Sequence, residues 1–198
     1  MIIWINGTFG AGKTTTAYEL HRRIKDAFVY DPERFGYVFM RNVPKEIAKS
    51  DFQDYPLWRE ANYKLLKQVA EDYKGVIIAP MTLTHEVYFE EMIGRLRDQG
   101  FEVNHFTLLA STQTIEKRLR KRWEGKKSWA YQQMKERLDC LSRPLFQEHI
   151  QTDNLSIDEV VETIAERIGI QLEPDNRSRV KKIIDRTGVS IKEIAWFK

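Results

Sequence analysis

The sequence has a single cysteine, Cys140, among 198 residues. No disulfide can close within the chain, so a disulfide scaffold is excluded and the reducing cytoplasm is the default compartment. Cys140 falls in a helical stretch, where an inert thiol is expected. Long hydrophobic runs are also missing. The longest, residues 76–81, is strand-sized and far short of the ~20 residues that span a bilayer. The first six residues are apolar but lack the basic start and the length of a signal peptide. They run into a glycine-rich loop and read as a buried first strand. Excess charge of one sign is absent too: 32 basic against 29 acidic residues leave +3. That excess is too small to indicate a nucleic-acid partner, and none is expected. There is no internal repeat and no low-complexity segment.

What remains is ordinary globular composition, 42% hydrophobic and 31% charged. The length suits one domain with a short appendage. Strand and helix patterns alternate. Strands are expected at residues 2–6, 28–30, 75–80, 101–109 and 149–152. Helices are expected at 13–24, 57–73, 84–99 with Thr84 as cap, 112–123, 129–141 and 156–168. Residues 33–56, rich in aromatics, read as irregular. The run 75–80 is apolar on both faces, as in the middle of a parallel sheet. Together these give an α/β fold: three layers around a parallel sheet of about five strands, in residues 1–172. Residues 173–176 read as a linker to a basic tail, 177–198.

One motif carries chemistry. Gly7-Thr8-Phe9-Gly10-Ala11-Gly12-Lys13-Thr14 matches G-x-x-x-x-G-K-[ST] throughout. Chance gives on the order of one such match per hundred chains of this length. Here the motif follows an expected strand and opens an expected helix, as its mechanism demands. Glycines let backbone N–H groups converge on phosphate oxygens, and the helix start presents further free donors. Lys13 can reach the β- and γ-phosphates, Thr14 can ligate Mg²⁺, and Thr15 follows in the same first turn. No N-K-x-D guanine-reading segment exists, so ATP is favoured over GTP.

Other candidates depend on this loop. Asp31 closes the second strand and should face the ligand crevice, where it could take a proton from a substrate hydroxyl or hold Mg²⁺ through water. The plainer alternative is an Asp-Pro turn opener. Arg118 and Arg122 share a helix face before Gly125-Lys126-Lys127 and suit a basic helical lid over phosphates; the alternative is a solvated basic face. The strand 75–80 ends without an aspartate, so no Walker-B carboxylate is evident, and Thr82 is a weak substitute. Aromatics from Phe35 to Tyr63 could line an acceptor groove or simply fill the core.

The segments I-I-W-I-N-G-T-F-G-A-G-K-T, V-Y-D-P-E, Y-P-L-W-R, K-R-L-x-x-R, E-G-K-x-S-W-A and H-I-Q-T-D-N-L-S resemble the bacterial ATP-binding tunicamycin-resistance family, from Met1 to about Ile170. The resemblance implies a fold similar to P-loop small-molecule kinases. In those, Asp31 matches an aspartate facing the acceptor hydroxyl, Arg118 and Arg122 match lid arginines, and Asp153 and Asn154 fall in the loop near adenine. It also implies resistance to tunicamycin, a uracil nucleoside carrying sugars and a fatty acyl chain.

Three readings follow. The first is a kinase acting on such an antibiotic with ATP and Mg²⁺. The second is ATP-dependent drug sequestration, which the missing Walker-B acid favours. The third is DNA binding, because residues 185–195 look like the middle of a helix-turn-helix. The tail also carries Val180, Ile183, Ile184, Thr187, Ile191 and Ile194 at helical spacing. Residues 174–198 hold seven basic and three acidic side chains. Either a helix packed on the domain or a peripheral contact with anionic membrane would use that pattern.

Overall fold

The computed structural model describes the backbone of residues 1–196 and side chains through residue 189. Five strands, β1 (Ile2–Gly7), β2 (Ala27–Val29), β3 (Val76–Pro80), β4 (Val103–Leu109) and β5 (His149–Gln151), form one sheet in the order β2-β3-β1-β4-β5. Every pairing is parallel. All six residues of β1 are buried. Successive strand side chains point to opposite faces, so both faces of the sheet are covered and the fold has three layers. Ile2, Ile3, Trp4 and Ile5 fill the two inner faces, each contributing roughly 1.5–3 kcal/mol by burial. The Trp4 indole donates to the Met81 carbonyl at 3.1 Å, which satisfies its polar atom inside the core.

Eight helices occur among the described residues: α1 (Lys13–Arg23), α2 (Pro32–Arg41), α3 (Pro56–Asp72), α4, α5 (Thr112–Arg120), α6 (Trp129–Leu141), α7 (Ile157–Arg167) and α8 (Arg179–Trp196). Helix α4 runs over residues 86–98: Glu86–Phe89, a π-helical turn at Glu90–Gly94, and Arg95–Asp98. A capping box opens α7, with both the Ser156 and Glu159 side-chain bonds formed.

Three expectations are corrected. Residues 33–56 are not irregular throughout. Asp31 accepts the Glu33 N–H at 3.0 Å and Pro32 occupies the first helical position, so α2 starts there. Phe35 and Phe39, four apart, pack on the core, as do Phe52 and Tyr55. Gly36 is required beneath Phe52, since a Cβ there would lie 2.4 Å from the ring. Core packing therefore accounts for most of these aromatics. Thr84 does not cap α4; the helix starts after His85, whose ring stacks on Tyr88 at 4.4 Å.

The tail is one helix that continues through Gly188, so the turn of a helix-turn-helix is missing and the DNA-binding reading loses its basis. The helix docks by its charged side. Arg177 pairs with Glu19, Asp175 and Asp185; Lys182 with Asp158 and Asp175; Arg186 with Asp158 and Glu19. Residues 173–176 are tied down, because Glu173 N–H donates to the Arg23 carbonyl at 2.7 Å and Arg23 Nε donates back at 3.0 Å. Val180, Ile183 and Ile184 face outward, each about two-thirds exposed. The Ile191 and Ile194 side chains lie outside the described residues. Among the described residues, no helix is long and apolar enough to cross a membrane.

Candidate functional site

The chain leaves the central strand β1 between β3 and β4, where the direction of winding reverses. Ligands of open α/β sheets bind at such points, outside the carboxyl ends of the strands. Here Gly7, Gly10 and Gly12 all adopt positive φ. Gly7 is doubly required, since a Cβ there would meet the Leu108 carbonyl oxygen at 2.8 Å. Thr8 and Ala11 are buried between them. Gly12 caps α1 without a side chain, so the first-turn N–H groups of α1 receive no side-chain cap.

Lys13 opens α1 and is 8% exposed, with Nζ donating to the Thr8 carbonyl at 3.3 Å. Burial lowers its pKa to about 8. Glu33 is the largest opposing influence, Arg122 and Arg137 add to the lowering, and Asp31 opposes it. A desolvated ammonium at the mouth of a glycine cradle, facing a helix start, fits a polyphosphate. The loop backbone and Lys13 would hold ATP phosphates, and the half-buried Thr14 beside it offers a hydroxyl to Mg²⁺. Thr15 is half-buried in the same turn.

The opposite lip is set by Asn6. Its Oδ1 accepts from Gly7 N–H at 2.8 Å and Leu83 N–H at 3.0 Å, and its Nδ2 donates to the Leu83 carbonyl at 2.8 Å. The loop after β3 is thereby clamped to the phosphate loop. Thr82, where a Walker-B carboxylate would stand, donates its hydroxyl to the Gly7 carbonyl at 2.7 Å. Carboxylates come instead from the start of α2: Asp31 and Glu33 both lie in the field of Lys13. Beyond them is a narrow cleft lined by Phe9, Glu33, Phe52, Thr82, Trp129 and Arg137, among others. Phe9 meets Trp129 edge-to-face at 5.3 Å. The Arg137 guanidinium lies over both rings and pairs with Asp51 at 2.9 Å.

The lid candidates separate. Arg118 is a strut: it donates to the Ala11 carbonyl at 3.3 Å and to the Thr152 hydroxyl and carbonyl at 3.1 and 2.8 Å. It ties α5 to the phosphate loop and to the end of β5. Arg122, beyond the end of α5, is exposed yet close enough to act on Lys13. Next to it Trp123, with positive φ, is 97% exposed. Asp153 is also committed to structure. Ser111 and Thr114 donate to its carboxylate, which holds its carboxyl below the usual range and fastens the start of α5. Asn154 is exposed beside it.

Of the residues singled out in the sequence, Asp31 and Arg122 lie within the field of Lys13, and Thr14 follows it in α1. Sequence reasoning missed Glu33, Arg137, Asp51 and the cleft-facing role of Phe9. Glu33 had a signal, because it stands two residues after Asp31. Arg137 had none, since an arginine inside a mixed-charge helix is ordinary.

The chain matches the AAA domain family over residues 2–144. The solved structure of the Deinococcus radiodurans tunicamycin resistance protein superposes with a TM-score of 0.74 at 32% identity, covering 88% of this chain and 99% of that one. A sugar kinase from Janibacter sp. aligns with a TM-score of 0.61 at 18% identity, over 85% of this chain and 94% of that one. Shikimate kinase from Bacteroides thetaiotaomicron gives 0.57 at 18% identity, over 86% and 99%. Those two share the fold. Among curated proteins, none matches the chain by sequence.

Proposed function

Because the chain belongs to the AAA domain family and, within it, to the family of the tunicamycin resistance protein, we propose that it is an ATP-dependent phosphotransferase acting on a hydroxyl of tunicamycin or a similar nucleoside antibiotic. The observation that carries this reading is the buried Lys13, set among Glu33, Asp31, Arg122 and Arg137, with Glu33 and Arg137 lining the aromatic cleft. A protein that only held ATP has no need of carboxylates between its phosphate loop and a second binding cleft.

ATP supplies the phosphoryl group when bound. The loop 7–14 and Lys13 would hold its phosphates, and the Thr14 hydroxyl would be a ligand for Mg²⁺. Arg122 neutralises charge that spreads onto the transferred oxygens. A carboxylate at the start of α2 accepts the proton of the acceptor hydroxyl. Phe9, Phe52 and Trp129 exclude water and bracket the acceptor, which limits transfer to water. Arg118 and the loop at Asp153 and Asn154 border the space on the adenine side.

Sequestration without transfer is the second reading. Thr82 in place of a Walker-B carboxylate favours it, since one Mg²⁺ ligand is then lacking. Tunicamycin-stimulated ADP release separates the two. A kinase releases ADP in proportion to drug consumed, whereas a binding protein releases none above its drug-free rate.

We also place the protein in the cytoplasm, with peripheral membrane contact through α8. The support is the outward Val180, Ile183 and Ile184. They could rest on the apolar edge of a bilayer while the charged side of α8 stays docked.

A further inference from the structure

We infer that Trp123 is a binding residue for the phosphoryl acceptor, an exposed aromatic plate on which a ring of the nucleoside antibiotic stacks. This rests on the acceptor named in the proposed function and adds a specificity-determining residue to the same site.

Three helix ends share one closure. After α4, Gly100 N–H donates to the Arg97 carbonyl at 2.9 Å and Phe101 N–H to the Leu96 carbonyl at 3.1 Å. After α7, Gly169 N–H donates to the Glu166 carbonyl at 3.2 Å and Ile170 N–H to the Ala165 carbonyl at 2.9 Å. After α5, Trp123 N–H donates to the Arg120 carbonyl at 3.1 Å and Glu124 N–H to the Leu119 carbonyl at 3.2 Å. Such a pair of bonds sets the residue at the turn in the left-handed conformation. The φ values are 83° at Gly100, 67° at Gly169 and 63° at Trp123. Glycine adopts that conformation freely, whereas a bulky side chain is strained in it. The two glycine closures also pack their next residue, Phe101 or Ile170, against the core. The tryptophan closure has a glutamate in that place. Trp123 itself is 97% exposed and so gains no packing for its strain. Folding alone gives no reason for an indole at this turn, and contact with a ligand does.

The course of α5 says which ligand. Ser111 and Thr114, at its start, donate to Asp153. Arg118 is tied to Ala11 and Thr152. Leu119 covers Gly10, where a Cβ would lie 3.4 Å from its Cδ2. Past the helix end, Arg122 acts on Lys13, the group that reaches the β- and γ-phosphates. The helix therefore leads from the adenine side of the phosphate loop to its γ-phosphate side, and Trp123 comes next. Six residues further on, Trp129 opens α6, lines the aromatic cleft and meets Phe9 of the phosphate loop. Trp123 is thus carried between the γ-phosphate position and the acceptor cleft, away from adenine. The cleft is narrow. A nucleoside with appended sugars extends beyond it, and a free indole at its mouth offers a ring face to stack on. Stacking of one ring on an aromatic side chain corresponds to about 5–150-fold in affinity.

The test compares wild-type protein, Trp123→Gly and Trp123→Phe. Tunicamycin affinity is measured by calorimetry on protein saturated with ADP and Mg²⁺, so that binding is read without turnover. ATP affinity and melting temperature are measured on ligand-free protein, and transfer is followed separately as drug-stimulated ADP release. Trp123→Gly should bind tunicamycin about 5–150-fold more weakly and keep ATP affinity within about threefold. It should also melt about 2–4 °C higher, because glycine relieves the strained turn. Trp123→Phe keeps an aromatic face and should stay within about threefold of wild type for both ligands. Unchanged tunicamycin affinity in Trp123→Gly overturns the inference. So does a loss of ATP affinity as large as the loss for the drug, which would put the indole on the nucleotide. A lower melting temperature in Trp123→Gly also overturns it, since the residue would then serve the fold. Wild-type protein that binds tunicamycin but transfers no phosphate overturns the phosphotransferase reading and leaves the inference standing. Wild-type protein that binds no tunicamycin overturns both.

Discussion

Lys13 is where burial and binding oppose each other most clearly. Its pKa falls from 10.5 to about 8, which corresponds to about 3 kcal/mol against the charged form in the ligand-free protein. The unfolded chain keeps the higher value and so binds the extra proton between pH 8 and 10.5. The cost is therefore full below pH 8 and is relieved as pH rises toward 10.5. A bound polyphosphate reverses the balance by pairing the ammonium. Two outcomes follow. ATP affinity measured by calorimetry should weaken above pH 8, approaching tenfold per pH unit. Lys13→Met should melt no lower than wild type without ligand, yet lose the ATP-induced rise in melting temperature. Unchanged ATP affinity in Lys13→Met would contradict the assignment of the loop.

Two elements lie next to the site and differ in how they are held. The stretch from Arg118 to Ser128 begins at a strut on the phosphate loop and ends in the cap of α6. Between them lie the exposed Arg122 and Trp123. On adding ATP, hydrogen exchange should slow across residues 121–128, while the turn around Arg118 is protected beforehand. Exchange that ignores ATP throughout would reduce this segment to a solvated basic helix end. The tail is held through charge. Glu19, on the phosphate-loop helix, is 2% exposed and relies on Arg177 and Arg186. Replacing both arginines with alanine should cost about 1–3 kcal/mol, seen in urea unfolding, because the buried carboxylate is then left with only the more distant Arg22, at 3.9 Å. Lys182 and Arg186 are likewise occupied by carboxylates. Membrane contact by the docked helix should then depend on Val180, Ile183 and Ile184 more than on anionic lipid. Flotation with neutral and anionic vesicles should differ little, and Ile183→Asp should abolish it. Binding that needs anionic lipid would mean that α8 leaves the domain.

At the scale of the whole molecule, a buried polar chain joins the sheet to the phosphate loop. Asn6 Nδ2 lies 3.2 Å from His105 Nε2, and His105 Nδ1 lies 2.7 Å from the Gln147 carbonyl. Asn6 donates, so Nε2 accepts and Nδ1 carries the proton: the ring is neutral. Burial lowers its pKa to about 4. The unfolded chain takes up a proton near pH 6.5, so this contribution is intact above 6.5 and is lost as pH falls toward 4. Stability to urea should fall by about 3 kcal/mol over that window, and the fall should flatten in His105→Gln. Legibility in the sequence divides along the same lines. The all-parallel sheet was readable because apolar runs such as 76–80 have no polar face, and the phosphate loop because each of its residues has a chemical reason. Helix α2 was hidden, because Asp31-Pro32 signals a turn and a helix start equally. Arg137 and Asp51 were hidden because their pairing joins residues 86 positions apart. Which side of α8 docks was left open by the sequence, since the same helical spacing suits a face packed on the domain and one turned outward.

Phosphoryl transfer itself is tested most directly by the mass of the drug. Tunicamycin is incubated with the protein, ATP and Mg²⁺, alongside a Lys13→Met control. A kinase yields tunicamycin carrying one added phosphoryl group, in an amount equal to the ADP formed, and the control yields none. Tunicamycin of unchanged mass, recovered bound to a protein that also binds ATP, would contradict the kinase and leave sequestration as the function.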